Sequence, residues 1–216
     1  MIRLHGYWRS SAAWRCRIAL ALKGIAVEPV SVHLTRGGGA QRTVDFRTLN
    51  PQALVPLLET GHGALTQSLA IIEWLEEEYP DPPLLPDTRW ARAQMRAFAL
   101  AIACEIHPLQ NLRVQQYLRC AGRFDEADIA RWLATWIGGG LAACEASLAA
   151  RGDAGRFAFG DTPGLADICL APQLYSARRF GVDLAAMPRL RALETAYGGH
   201  PAFVAAHADN QPDSEI

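Results

Sequence analysis

The sequence predicts a small α/β domain followed by an all-helical domain, and three observations support this fold class. Short strand-like runs alternate with helical patterns over residues 1–80. Four prolines then fall within Pro80–Pro86, a density that excludes regular helix and ladder pairing and indicates a stiff linker. Beyond it, strand signals nearly vanish and apolar residues recur three or four positions apart. We therefore expect a first domain at 1–80, a linker at 81–87 and a second domain at 88–216.

The first domain opens with a β-α-β pattern. Ile2–Tyr7 has the composition of a strand, and Ser11–Lys23 carries apolar residues at helical spacing. Gly24 follows as a helix stop. Val27–Leu34 is predicted as a second strand, and Pro29 within it removes a ladder donor. We therefore expect this strand at the edge of the sheet.

The domain continues with a β-β-α pattern. Val55–Glu59 and Ala64–Thr66 flank Gly61–Gly63, which is typical of an antiparallel hairpin. A helix is predicted from Ser68 to about Tyr79.

The second domain is predicted to be helical throughout. Arg89–Glu105, Asp125–Ala150 and Leu165–Tyr175 all show apolar residues at helical spacing. Gly138–Gly140 lies inside the middle helix, although each glycine costs about 1 kcal/mol relative to alanine there. Close backbone packing or a local break in the helix would each explain these glycines.

Composition and charge exclude several classes of function. The chain of 216 residues has a formal net charge of −1, and half of its residues are apolar. Such a charge gives no overall attraction to the phosphates of a nucleic acid or to an anionic membrane. Neither a targeting leader nor an apolar stretch of bilayer-spanning length is evident. We expect a cytoplasmic protein with no nucleic-acid or membrane partner.

The cysteines suggest neither disulfides nor a metal site. They are odd in number, scattered, and lack any metal-ligand spacing. We expect buried, reduced thiols and no bound metal. These residues are Cys16, Cys104, Cys120, Cys144 and Cys169.

The most specific pattern is Tyr7–Leu20, which places two serines ahead of the run W-R-C-R-I-A-L. It resembles the signature of the zeta-class glutathione transferases, and especially of their maleylacetoacetate and maleylpyruvate isomerases. Further segments that match this family occur along the whole chain. They are Leu49–Pro51, Val55–Pro56, Gln67–Leu75, Ile106–Arg113, Ala166–Asp167 and Gln211–Asp213.

The resemblance implies a fold and an activity. The fold is a thioredoxin-like domain, β-α-β then β-β-α, followed by a helical bundle. The activity is the glutathione-dependent conversion of maleylacetoacetate to fumarylacetoacetate, in the catabolism of tyrosine and other aromatic compounds. It further implies a small dicarboxylic substrate and a homodimer.

Ser10 matches the family's catalytic serine, and Ser11 provides a second hydroxyl. A free thiol has a pKa of about 8.5, so the thiol of glutathione is mostly protonated at neutral pH unless its thiolate is stabilised. A hydroxyl and free amides at the start of a helix can supply that stabilisation. Either serine could instead merely cap the helix. Ala12 stands where many family members have cysteine, so assistance from such a thiol is absent.

Other positions match glutathione contacts in the family. Val55 precedes a proline that the resemblance implies to be cis, which leaves the Val55 backbone to pair with glutathione. Ser68 and Gln67 begin a predicted helix whose amides suit a carboxylate, although capping alone would also explain the serine. The remaining matches are Gln41, Asn111 and His107. For His107, a structural role is as compatible with the sequence as a contact with glutathione or substrate.

Three arginines match substrate contacts of related isomerases: Arg9, Arg113 and Arg179. A guanidinium can bind a carboxylate bidentately, as a dicarboxylic substrate requires. A single arginine is usually a solvated surface charge, so the assignment depends on the agreement of all three positions.

Two other functions stay open on the sequence. One is a transferase that conjugates or dehalogenates small electrophiles and consumes glutathione. The other is a non-catalytic binding module with the same fold. The sequence does not separate maleylacetoacetate from maleylpyruvate, because their charged ends are alike.

Overall fold

The computed structural model describes residues 2–152 and 155–215. Its contacts divide the chain into two compact units, one comprising Met1–Leu84 with Gly199–Ile216 and the other Leu85–Gly198. The division after Leu84 lies within the segment predicted as a linker. The C-terminal segment groups with the first unit, whereas we had placed everything from 88 to 216 in the second domain.

The first unit contains a four-stranded mixed sheet. Its strands are β1 (Arg3–Gly6), β2 (Glu28–Ser31), β3 (Leu57–Thr60) and β4 (Gly63–Thr66), in the order β2-β1-β3-β4. β1 and β2 are parallel, and the other two pairings are antiparallel. Pro29 therefore lies on an edge strand, and the predicted hairpin is confirmed.

Helices make up most of the remaining chain. A six-residue π-helical stretch, Ala101–Ile106, continues directly from the fourth helix. The α-helices, in chain order, are α1 (Ser11–Leu22), α2 (Val44–Leu49), α3 (Ser68–Glu78), α4 (Arg89–Leu100), α5 (Leu112–Cys120), α6 (Glu126–Arg151), α7 (Leu165–Arg179), α8 (Pro188–Gly198) and α9 (Pro201–Ala206).

The predicted elements agree in kind with the observed ones, and the thioredoxin-like and helical fold class is confirmed. The predicted helix Arg89–Glu105 is α4 extended by the π-helical stretch. The sequence analysis missed α2, α5, α8 and α9. Of these, α2, α5 and α9 are short and contain few buried apolar residues, so they show little helical periodicity in the sequence.

The C-terminal segment is held on the first unit by polar contacts. Arg17 of α1 donates to the carbonyls of Trp8 (2.7 Å) and Ala206 (3.1 Å). Asp213 accepts from the Trp8 amide at 3.1 Å and from the Ser31 hydroxyl at 2.8 Å. These contacts join the C-terminal segment to α1, to β2 and to the loop that leads from β1 into α1.

A buried ion pair ties α1 to the end of α3. The Lys23 ammonium lies 2.8 Å from a carboxylate oxygen of Glu76, and it also donates to the carbonyls of Tyr79 and Pro82. Glu76 accepts in turn from the Leu84 amide. Because each charge keeps further hydrogen-bond partners, the pair is well satisfied despite its burial.

α6 continues without a break through Gly138–Gly140. A Cβ atom at Gly140 would overlap the side chain of Ile106, whereas one at Gly139 would meet nothing. Close packing, the first of the two explanations we considered, therefore applies at Gly140.

α6 is also long and apolar enough, by length and composition alone, to cross a membrane, and the sequence analysis had identified no such segment. Its buried residues form a stripe along one face. Such a stripe is typical of a helix packed in a protein core, and we assign α6 to the core of the helical unit. The stripe consists of Ile129, Leu133, Ile137, Leu141, Cys144 and Leu148.

Asp167 organises the start of α7 from a fully buried position. Its carboxylate accepts from the amides of Gly164 (3.0 Å) and Ala158 (2.9 Å) and from the Tyr197 hydroxyl (2.8 Å). Burial nevertheless raises the pKa of Asp167 from 3.8 to about 6.

All five cysteines are reduced thiols, but they differ in exposure. Cys16, Cys144 and Cys169 are buried, as expected, and burial raises the pKa of Cys144 to about 12. Cys104 and Cys120 are exposed, so the prediction of buried thiols is wrong for these two. Within residues 2–152 and 155–215, no three His, Cys, Asp or Glu side chains cluster as a metal site would require.

Candidate functional site

Ser10 occupies the N-cap of α1. Its backbone is extended, and its hydroxyl oxygen accepts from the Ala13 amide at 3.2 Å. Because that bond uses an oxygen lone pair, the hydroxyl proton stays available to donate to another group. Capping and donation to a ligand are therefore compatible at Ser10, which is half-buried, and Ser11 follows as the first, buried residue of the helix.

The peptide bond between Val55 and Pro56 is cis, as the resemblance implied. It lies just before β3, whose ladder begins at Leu57, so the Val55 backbone lies outside the ladder. Gln41, which precedes this segment in the chain, is also buried. Its side-chain nitrogen donates to the Leu34 carbonyl at 3.2 Å, and its side-chain oxygen is buried without a hydrogen-bond partner.

The start of α3 combines a strained residue, a buried hydroxyl and a buried cation. Gln67, at the N-cap, has a φ of 71°. Its side-chain amide nitrogen donates to the side-chain oxygen of Gln52 at 2.8 Å. Ser68, the first helical residue, is buried and accepts from a guanidinium nitrogen of Arg15 at 3.3 Å. A positive φ in a residue other than glycine is typical of functional sites, where surrounding contacts hold it in place.

Arg9 lies in the loop between β1 and α1. It is half-buried, and its guanidinium stacks over the Trp8 ring at 4.9 Å from the centroid. Glu215 is close enough to be affected: hydrogen bonding from His33 lowers its pKa, and the charges of Arg36 and Arg9 add to the effect.

The other predicted residues belong to the second unit. His107 follows the π-helical stretch and is half-buried, and Asn111 caps α5 by accepting from the Arg113 amide at 3.1 Å. Arg113 is exposed on α5, and Arg179 is exposed at the last residue of α7, with its guanidinium 4.6 Å from the centre of the Phe180 ring. The Asn111 oxygen thus has a structural role of its own.

Sequence reasoning missed Arg15 and Asp213. The signal for Arg15 was present in the pattern: an arginine stands between Ser11 and Ile18 on the buried face of α1, four and three positions away. Asp213 stands in the matching segment Gln211–Asp213, but no local pattern indicated its contact with Trp8. Its partner Trp8 is 205 positions away in the sequence.

The first unit therefore offers three features that fit glutathione. A hydroxyl that can donate to sulfur stands at the start of α1, a backbone outside the ladder precedes β3, and a buried guanidinium with unpaired donors lies at the start of α3. Helix starts of this kind favour thiolates and carboxylates, because their amides and dipole attract negative charge.

Comparisons with known proteins agree with this arrangement. Residues 4–83 match the family model described as the glutathione S-transferase N-terminal domain, and residues 127–198 match its C-terminal domain. A maleylpyruvate isomerase from Ralstonia sp is 50% identical over 99% of this chain and 100% of that protein. A maleylacetoacetate isomerase from Pseudomonas aeruginosa is 48% identical, with 99% of each chain covered.

Solved structures give the same picture. The holo structure of a maleylpyruvate isomerase, a bacterial zeta-class enzyme, has a TM-score of 0.95 at 49% identity and covers 98% of this chain and 99% of its own. The maleylacetoacetate isomerase from Anaeromyxobacter dehalogenans, with glutathione bound in its active site, has a TM-score of 0.87 at 45% identity, with 99% and 97% covered.

Proposed function

Because this chain belongs to the glutathione S-transferase family, among its zeta-class isomerases, we propose that it converts a cis dicarboxylic metabolite into its trans isomer with glutathione as cofactor. The observation that carries the proposal is the Ser10 hydroxyl. Its oxygen is occupied by the Ala13 amide, and its proton is left for a ligand at the start of α1.

When bound, glutathione supplies a thiolate that adds to the conjugated cis double bond and leaves again after rotation about the resulting single bond. The role of Ser10 is to donate a hydrogen bond to that sulfur, and the dipole of α1 favours its ionised form. Ser11 provides a second hydroxyl at the same helix end.

Other predicted residues hold the tripeptide. The Val55 backbone pairs with the cysteinyl backbone, and Ser68 with Gln67 binds the γ-glutamyl carboxylate at the start of α3. Gln41, His107 and Asn111 make further contacts with the cofactor.

Arginines bind the substrate. Arg9, Arg113 and Arg179 pair with its carboxylates and stabilise the negative charge that develops on the carbonyl next to the double bond. Support for this assignment comes from a related isomerase from Methylobacterium, at 39% identity, whose structure contains bound malonate together with glutathione. Malonate is a small dicarboxylate, the class of ligand that paired guanidinium groups recognise.

We propose maleylacetoacetate as the physiological substrate and maleylpyruvate as the second candidate. Relatives of both kinds match over the full length, at 48% and 50% identity, so both substrates belong in the test. We further propose that residues 1–80 form the glutathione domain, 81–87 the linker and 88–216 the substrate domain, whose last segment from Gly199 groups by its contacts with the first unit. We also propose that the protein is a cytoplasmic homodimer. Light scattering of the purified protein measures its oligomeric state directly.

The proposed function is tested by following both maleyl compounds in the ultraviolet, with and without glutathione, while thiol is assayed separately. We expect isomerisation only with glutathione, at constant thiol concentration. Stoichiometric loss of thiol would identify a conjugating or dehalogenating transferase instead. Equal rates without glutathione would refute the cofactor role, and no reaction with either compound would favour a binding module.

A further inference from the structure

Arg9 and Ser10, two residues that the proposed function uses, take their positions from one backbone turn. The Ser10 amide donates to the Tyr7 carbonyl at 2.9 Å, which closes a four-residue turn between β1 and α1. Trp8 and Arg9 are its central residues, and Ser10 leaves it as the N-cap of α1. The geometry of this turn therefore sets where both side chains begin.

Side chains from outside the turn hold Trp8 on both sides. Arg17 of α1 donates to the Trp8 carbonyl at 2.7 Å and to the Tyr7 carbonyl at 3.4 Å. Asp213 accepts from the Trp8 amide at 3.1 Å. Burial lowers the pKa of Arg17 to about 10, and the negative charge of Asp213 opposes this shift. The two side chains thus bind two consecutive peptide groups of the turn and interact with each other through their charges.

Trp8 also supports the Arg9 side chain. Trp8 is 2% exposed, and the Arg9 guanidinium lies over its ring, 4.9 Å from the centroid. A shift of Trp8 would therefore move the stacking surface of Arg9 as well as the backbone that leads to Ser10.

The C-terminal segment has further anchors that do not involve the turn. The side-chain nitrogen of Gln211 donates to two backbone carbonyls, and Glu215 pairs with His33 at 2.9 Å. The Ser31 hydroxyl donates at 2.8 Å to the same oxygen of Asp213 that binds the turn. Binding to the turn is therefore an additional property of Asp213, beyond holding the end of the chain.

We propose that Asp213 and Arg17 are positioning residues, which fix the Tyr7–Ser10 turn so that the Ser10 hydroxyl faces the glutathione sulfur and Arg9 faces the substrate. They act through the backbone of the turn and not on the reacting atoms. This inference rests on the proposed function, because it takes Ser10 as the donor to sulfur. It gives the C-terminal segment a role in catalysis in addition to its role in folding.

The first test is the pKa of the thiol of bound glutathione, followed by the ultraviolet absorbance of the thiolate. In Asp213→Ala we expect this pKa to rise toward the free value of about 8.5, because the Ser10 hydroxyl loses its fixed place. Loss of the negative charge alone would lower the pKa, since a nearby anion disfavours a thiolate. Asp213→Asn loses the charge but keeps an acceptor for the Trp8 amide, so its value should equal that of wild type or lie below it.

Steady-state kinetics give a second readout. Asp213→Ala should lower kcat/KM roughly tenfold, because a small misplacement of a reacting group is enough for such a loss. Ser31→Ala is the matched control: it removes the other donor to the same carboxylate oxygen and leaves the Trp8 bond in place. It should leave kcat/KM and the pKa of the bound thiol unchanged.

The outcomes separate the two hypotheses. If the wild type does not bind glutathione as a thiolate, the proposed function fails. If it does, but Asp213→Ala keeps the wild-type pKa of the bound thiol or lowers it, the positioning role is refuted. A pKa in Asp213→Asn as high as that in Asp213→Ala would also refute it.

Should Asp213→Ala fail to fold, Arg17→Lys decides on the same readout. It keeps the positive charge, but one ammonium cannot replace the bonds of the guanidinium to three carbonyls. A raised pKa of the bound thiol supports the positioning role, and an unchanged one overturns it.

Discussion

At the scale of single residues, Ser10 combines two roles in one hydroxyl. Its oxygen caps α1 through the Ala13 amide, while its proton is assigned to the glutathione sulfur. The two roles can be separated by substitution, because glycine is nearly as good as serine at an N-cap whereas alanine is not. Neither replacement can donate to sulfur.

We therefore expect Ser10→Gly to lower stability by only a few tenths of a kcal/mol and Ser10→Ala by about 1 kcal/mol. Both should lower kcat/KM for isomerisation by a similar factor, roughly tenfold to a hundredfold, as for a lost charge-assisted hydrogen bond. Urea unfolding and steady-state kinetics provide the two measurements. Activity losses that follow the stability losses would show that the serine acts only as a cap.

At the scale of elements, α6 shows why a glycine run need not break a helix. Gly140 allows Ile106 to approach the helix backbone, and Ile106 ends the π-helical stretch that precedes His107. Packing at that one position accounts for one glycine of the three.

Gly140→Ala should destabilise the protein by about 1–3 kcal/mol, because the new methyl group overlaps a buried side chain. Gly139→Ala is the matched control at the next position, where the same methyl group faces open space. It should leave stability unchanged or raise it by up to about 1 kcal/mol through helix propensity. Denaturant unfolding of both variants tests this, and equal effects at the two positions would contradict the packing account.

The cap of α7 should make stability depend on pH. Burial raises the pKa of Asp167 from 3.8 to about 6. Between these values the native protein binds a proton more readily than the unfolded chain, so stability falls as pH rises. The contribution is complete below about pH 4 and is lost as pH passes through about 6.

Asp167→Asn removes the titrating group and keeps the shape of the side chain. The contributions of all other acidic groups to the pH dependence of stability therefore cancel when wild type and variant are compared. The free energy of unfolding of wild type minus that of the variant should fall by about 3 kcal/mol in total as pH rises, and by about 2 kcal/mol of this between about pH 4 and pH 6. Denaturant unfolding across this range measures the difference. A difference that stays constant with pH, or that rises, would contradict the raised pKa.

At the scale of the whole molecule, local patterns predicted the elements better than their long-range contacts. The proline in β2 identified an edge strand, and helical spacing located α1, α3 and α6. The short helix α2 escaped because Phe46 is its one buried residue, which leaves no period to detect. The grouping of the C-terminal segment with the first unit was not foreseen, because Asp213 contacts Trp8 and Ser31, which are far away in the sequence.

The site divides in the same way. Ser10, Val55 and Ser68 stand in segments with recognisable patterns, so the sequence could propose them. Arg15 stands in the same motif, but its importance lies in burial and in unpaired donors. Those properties depend on the packing of α1 against α3, which no local pattern contains.

The central claim is that the start of α1 holds the sulfur of glutathione as a thiolate. Its most direct test is the ultraviolet absorbance of the thiolate, titrated against pH for the saturated protein and for Ser10→Gly. We predict that the bound thiol has a pKa well below the value of about 8.5 for a free thiol, and that Ser10→Gly raises it again. A bound thiol that titrates like free glutathione in the wild type, or equally in both proteins, would contradict the claim.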